Sequence, residues 1–144
     1  MRPCNRTPGE PDRLKILGAA DAAALLHDAV PDDLHDGELV LGLDWAARLC
    51  GIASRFPQHD GPVPELNAEH LCLIADEIGA IELVLVTFVD AGRVAPTVAD
   101  VARFEGLRVE CRAAHVGLVD HLLMAGHRWR SIAELTPLFG GHAA

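Results

Sequence analysis

Residues 81–89 read Ile81-Glu82-Leu83-Val84-Leu85-Val86-Thr87-Phe88-Val89, and this run decides the fold. It is rich in β-branched residues and apolar at odd and even positions alike, apart from Glu82 and Thr87. Successive strand residues point to opposite faces, so apolar character at both parities means that both faces are covered. The run therefore predicts a central strand with helices above and below it. On its N-terminal side, Asn67 supplies an N-cap for a helix reaching about Ile78, with Leu71, Ile74 and Ile78 on one face and Gly79 marking its end. On its C-terminal side, Asp90–Pro96 is a loop containing Gly92. A helix then runs from Thr97 to about His115, with Val101, Phe104, Leu107, Cys111 and Ala114 spaced as one buried stripe. Gly117 is read as the stop, and Leu118–Ala125 as a further strand. Arg128–Ile132 fits a last short strand, or alternatively Ser131 caps a terminal helical turn.

Farther upstream, Gly18–Val30 is rich in Ala and Leu and ends before Pro31, as a helix would. Asp32–Asp36 is an acidic connector. Glu38–Asp44 and Arg48–Phe56 read as two strands joined by a tight hairpin connection at Trp45–Ala47, and Pro57–Pro64 is a loop. The order is helix, hairpin, helix, central strand, loop, helix, strand, strand. That order gives an α/β (α+β) single domain, a mixed β-sheet flanked by helices. Residues 1–17 form an N-terminal arm, 18–136 the domain, and 137–144 a C-terminal tail.

Composition bounds the function. Half of the 144 residues are apolar, which excludes global disorder. The most apolar stretch, Leu39–Ala53, is broken by Asp44 and Arg48, short of the roughly 18 uninterrupted residues a span requires. Met1–Glu10 carries no apolar targeting core, so a cytoplasmic location without membrane contact is expected. Cys4, Cys50, Cys72 and Cys111 form no CxxC pair; the last three sit in apolar segments and read as buried thiols. Asp and Glu outnumber Lys and Arg by 21 to 12, and the net charge of −9 opposes nucleic-acid binding. The arm is locally basic (Arg2, Arg6, Arg13, Lys15), but its charges are scattered. Arg103, Arg108 and Arg112 are interleaved with Glu105 and Glu110, as on a solvated helix face.

Three stretches carry a family resemblance: Leu39–Asp44 (LVLGLD), Ala80–Asp100 (AIELVLVTFVDAGRVAPTVAD) and Val116–Ser131 (VGLVDHLLMAGHRWRS). Together they resemble RadC-like domains of the JAB/MPN (JAMM) metalloprotease superfamily, over roughly residues 18–135. The resemblance implies a three-layer, cytidine-deaminase-like architecture. It also implies a zinc site built on His-x-His-Pro, six residues, Ser, two residues, Asp, with an upstream Glu as general base for the attacking water. In this chain that pattern falls without a gap on Thr87-Phe88-Val89-Asp90 and Thr97-Val98-Ala99-Asp100. Thr97 stands for the serine and Asp100 is retained, but both histidines are absent, replaced by Thr87 and Val89. Asp36 and Glu38 are the candidates for the upstream acid, with Asp36 the better fit to the family's position.

Several of these residues have a structural reading beside the functional one. Thr97-x-x-Asp100 is a capping box pattern, against a surviving metal ligand. Asp120 and His121 are adjacent in a strand, so they point to opposite faces and cannot act as a dyad. His115, His121 and His127 share no face, while His27, His35, His59, His70 and His142 read as surface residues. Ser54 and Ser131 are the chain's serines, and neither sits in a nucleophile elbow. Trp45 and Trp129 are candidate interface anchors, or pack on the domain's own edge. The expectation is a non-catalytic RadC-like domain, a pseudoenzyme that binds a protein partner or a second copy of itself, with no cofactor. The alternative is a metal-dependent hydrolase of peptidase or isopeptidase type, assembling zinc from Asp90, Asp100 and His121. A second alternative, implied by the family's association with DNA repair, is a DNA-associated protein.

Overall fold

A computed structural model describes residues 14–31, 36–55 and 66–135. In chain order the elements are α1 (Ala19–Ala29), β1 (Glu38–Leu43), β2 (Leu49–Arg55), α2 (Ala68–Ile78), β3 (Glu82–Phe88), α3 (Val98–Ala113), β4 (Gly117–Ala125) and β5 (Arg128–Ser131). Single 3-10 turns lie at Ala91–Arg93 and Ala133–Leu135. The sheet order is β2-β1-β3-β4-β5, so β3 is central. Only the β3–β4 pair is parallel, and α3 makes that crossover. The sheet is thus mixed and flanked by helices, as its two-sided central strand requires.

Alternation along β3 builds two separate cores. Leu83 and Leu85 join Val40, Leu71, Phe104, Leu107 and Cys111 in a core beneath α2 and α3. Val84, Val86 and Phe88 join Leu39, Leu41 and the α1 residues Ala22, Ala23 and Leu26 in the core on the opposite face. α2 approaches the sheet where β1 and β2 pair Gly42 with Gly51. A Cβ on Gly42 would lie 2.3 Å from Ile78 Cδ1 and 2.8 Å from Ala80 Cβ. The absence of a side chain there lets the end of α2 close on the strand.

The structure corrects several boundaries. α3 stops at Ala113, and Ala114 is exposed instead of completing the buried stripe. The terminating residue is His115, at φ 65°. Val116 N–H donates to Cys111 O and His115 N–H to Arg112 O, both at 2.9 Å, a Schellman closure with histidine where glycine is usual. Gly117 opens β4 and does not stop the helix. β1 ends at Leu43 because the Asp44 carboxylate accepts the N–H groups of Ala46 (2.8 Å) and Arg48 (2.9 Å), folding the connection back. β5 ends at Ser131, whose hydroxyl accepts Glu134 N–H, so the residue both closes the strand and caps the following turn.

Cys111 is buried, whereas Cys50 and Cys72 are partly exposed, contrary to the expectation of three buried thiols. Burial, with smaller contributions from the Cys72 thiol and Glu110, pushes Cys111 up to about 12. Cys4 and the C-terminal tail lie outside the described residues. Trp45 is 82% exposed in the β1–β2 turn, whereas Trp129 packs against the α1-side core. No helix among the described residues is long and apolar enough to cross a membrane.

Candidate functional site

One irregularity in β4 shapes the site. Leu83 pairs with Leu118 but Val84 pairs with Asp120, so Val119 is an extra, bulged residue. A bulge shifts the side-chain parity beyond it. Asp120 turns to the α1 face beside Val84 and Leu43, while His121 turns to the α2/α3 side with Leu85 and Thr87. The two residues do point to opposite faces. Asp120 is a structural carboxylate: its Oδ2 accepts Ser131 Oγ–H at 2.6 Å, and its Oδ1 accepts His121 N–H at 2.7 Å and Ala133 N–H at 3.0 Å. Burial raises its proton affinity, and these hydrogen bonds oppose the rise.

His121 faces a cavity of about 270 Å³ over the C-terminal ends of β3 and β4. The sequence candidates Asp36, Glu38, Thr87, Val89, Asp90 and Asp100 all line it, together with Arg93 and Arg103. Antiparallel register sets Glu38 opposite Thr87, and their side chains share a face. Thr87 Oγ1–H donates to Glu38 Oε2 at 3.2 Å, and the same hydroxyl lies 2.8 Å from His121 Nε2. With the hydroxyl proton directed to the carboxylate, Nε2 carries the imidazole proton and donates it to Oγ1. Glu38 Oε1 also meets Arg55 Nη1 at 3.6 Å. The result is a continuous linear chain of contacts, Arg55–Glu38–Thr87–His121.

The imidazole at its end is neutral. His121 is 3% exposed, and burial, reinforced by the Arg103 charge and partly offset by Asp100, pushes its pKa down to about 3. Its Nδ1 is buried and has no hydrogen-bond partner. Asp100 is engaged at the start of α3, where its Oδ2 accepts Thr97 N–H at 2.8 Å and Thr97 Oγ1 accepts Asp100 N–H at 3.1 Å. The expected capping box is present. Thr97 itself is exposed and is absent from the cavity lining.

The donor set does not fit the zinc ion that the family resemblance implies. Val89 offers no donor atom, the Thr87 hydroxyl is held between Glu38 and His121, and the Asp100 carboxylate holds a helix cap. Asp90, Asp100 and His121 do share one cavity, as the alternative site required. Yet no group of three or more His, Cys, Asp or Glu side chains among the described residues could hold a metal ion.

A hydroxyl 2.8 Å from an imidazole also meets the first requirement for an activated nucleophile. The rest of the arrangement opposes that role. An imidazole of such low basicity is a poor proton acceptor at neutral pH, no group orients its Nδ1, and the hydroxyl proton already points to Glu38. What the geometry offers is a cavity whose wall carries the carboxylates of Asp36, Glu38, Asp90 and Asp100.

Two features escaped the sequence reading. Arg103 lies one turn after Asp100 on α3 and donates from Nη2 to Leu66 O at 3.1 Å, which separates it from Arg108 and Arg112, in a different hollow beside Glu82. Its spacing from Asp100 was the available signal. His27 on α1 meets His127 of the β4–β5 turn, ring nitrogen to ring nitrogen, with centroids 4.0 Å apart. A separation of a hundred residues gave no local sign of that contact. His35, His59 and His142 lie outside the described residues. No protein-family model matches the chain, and no curated protein matches it.

Proposed function

We propose that this chain is a non-catalytic, RadC-like JAB/MPN domain in which the former metal position serves as a binding pocket for a protein partner. The observation that carries the reading is the coincidence of the aligned positions in space. Glu38, Thr87, Val89, Asp90 and Asp100, together with Asp36, line a single cavity. They are the positions on which the family pattern falls in this chain, apart from Thr97, which stays outside the cavity. The Thr87 hydroxyl bridges Glu38 and His121, an arrangement that holds the pocket walls in place without a metal.

The acidic balance of the chain favours a protein partner over DNA, because phosphate recognition gains its affinity from Lys and Arg. Zinc titration of the chelator-treated protein tests the reading. No saturable binding is expected. A tightly held zinc ion in each chain would overturn it and favour the hydrolase built on Asp90, Asp100 and His121.

A further inference from the structure

We propose that the turn joining β1 to β2 docks an acidic segment of a partner protein, with Lys15 and Arg48 meeting its carboxylates and Trp45 its apolar side chain. Leu43 pairs with Glu82 at the start of β3, and Glu38 with Thr87 near its end. The turn after Leu43 therefore lies at the opposite end of the sheet from the cavity, and the inference stands apart from the reading of that cavity.

Backbone pairing sets two positive charges side by side. Ile16 N–H donates to Ala47 O and Leu49 N–H to Leu14 O, both at 2.8 Å, on either side of an antiparallel bridge between Lys15 and Arg48. Bonds outside the pair make it the non-hydrogen-bonded kind, the closer of the two antiparallel arrangements, with Cα atoms about 4.5 Å apart. Side chains of such a pair rise from one face, and like charges directly opposite each other destabilise the pairing. Ile16 is buried in the α1-side core, so Lys15 and Arg48 rise from the other face. Acidic residues outnumber basic ones by 21 to 12 in this chain. Yet neither side chain makes an ion pair or hydrogen bond among the described residues. Asp44, the carboxylate nearest Arg48 in sequence, commits its Oδ1 to the N–H groups of Ala46 and Arg48. Lys15 is exposed and Arg48 half-buried. The Arg48 Nε is enclosed, so a ligand meets the outer nitrogens of the guanidinium.

The surroundings select the partner. Trp45 is 82% exposed in the same turn, and Leu14 and Leu17, on the segment that pairs with it, are 50% and 75% exposed. Trp and Arg are among the residue types that dominate binding energy at protein interfaces. The Asp44 hydrogen bonds and the Ile16–Ala47 bond already fix the turn, so docking has little backbone to order. The net charge of −9 opposes a nucleic acid. A second copy joined about a two-fold axis would set the two cations against themselves. A segment that alternates carboxylates with apolar side chains answers both the charge and the apolar surface.

The test is NMR of ¹⁵N-labelled full-length chain at pH 7.5, titrated with acetylated and amidated hexapeptides of alternating Glu-Leu, Gln-Leu or Lys-Leu sequence. The Glu-Leu peptide should shift the Lys15, Arg48 and Trp45 indole resonances saturably, the Gln-Leu peptide should bind more weakly, and the Lys-Leu peptide should not bind. Lys15→Gln and Arg48→Gln should each weaken binding of the Glu-Leu peptide by about 1.5–5-fold, the range of a solvent-exposed ion pair. Trp45→Ala should weaken it by about 5-fold or more. A urea midpoint no lower than that of the unmodified chain shows that each variant is folded. No binding of the Glu-Leu peptide, equal binding of all three, or shifts confined to the cavity around Thr87 would overturn the assignment. Equally tight binding of inorganic phosphate would also overturn it, by making the pair a simple anion site. Concentration-dependent dimers that Trp45→Ala abolishes would overturn it in favour of a second copy.

Discussion

Acidification should destabilise this fold through His121, and replacing that residue by glutamine should remove the effect. Imidazole in an unfolded chain takes up a proton near its ordinary value of 6.5, whereas the buried ring in the folded chain resists until about 3. A depressed folded value means that the unfolded state binds the extra proton first. Stability is therefore complete above the unfolded value and is lost as the pH falls toward the folded one. The slope approaches about 1.4 kcal/mol per pH unit. Between pH 7.5 and 5.5 the loss should be about 1.4 kcal/mol, rising to about 2.7 kcal/mol by pH 4.5. Asp120 acts in the opposite sense, since its raised proton affinity in the fold adds stability on acidification. It is present in both proteins and cancels from their difference. Urea denaturation of the chain and of His121→Gln at pH 7.5, 5.5 and 4.5 would measure that difference. Parallel pH profiles would refute the reasoning, because they would show that the ring is either already protonated in the fold or as accessible as in the unfolded chain.

Gly42→Ala should cost about 1–3 kcal/mol of stability, because its new methyl meets Ile78 Cδ1 at 2.3 Å and Ala80 Cβ at 2.8 Å, and rotation of a side chain can relieve the first contact but not the second. A lower urea midpoint with an unchanged slope is the expected readout. Ser131→Ala withdraws the 2.6 Å hydrogen bond from a buried carboxylate and should cost about 1–3 kcal/mol. Because Asp120 lies on the α1 face, the His121 Nδ1 resonance should stay in place in that variant. A shift there would show that the two faces are coupled.

How much of this was legible in the sequence depended on how local each signal was. The residue 81–89 run announced a covered central strand because its apolar character ignores parity, and the two cores confirm it. The Thr97–Asp100 box was legible because both partners lie within one turn of helix. The end of α3 was misplaced because its left-handed residue is His115, while the nearest glycine sits two positions later. The site was legible only as a set of positions. That Thr87 would touch both Glu38 and His121 depends on the β1–β3 register and on the Val119 bulge in β4, neither of which composition or periodicity encodes. The bulge matters most, since regular alternation after Leu118 would have sent His121 to the α1 face.

Zinc titration of Thr87→His/Val89→His beside the unmodified chain addresses the central claim most directly. Thr87 and Val89 line the same cavity as Asp100, so two imidazoles placed there would supply, with that carboxylate, the donor types zinc prefers. The expected result is saturable binding of a single zinc ion per chain by the double variant, and none by the unmodified protein. Tight zinc binding by the unmodified chain, or no gain by a correctly folded variant, would contradict the assignment of this cavity as a metal site that has lost its ligands.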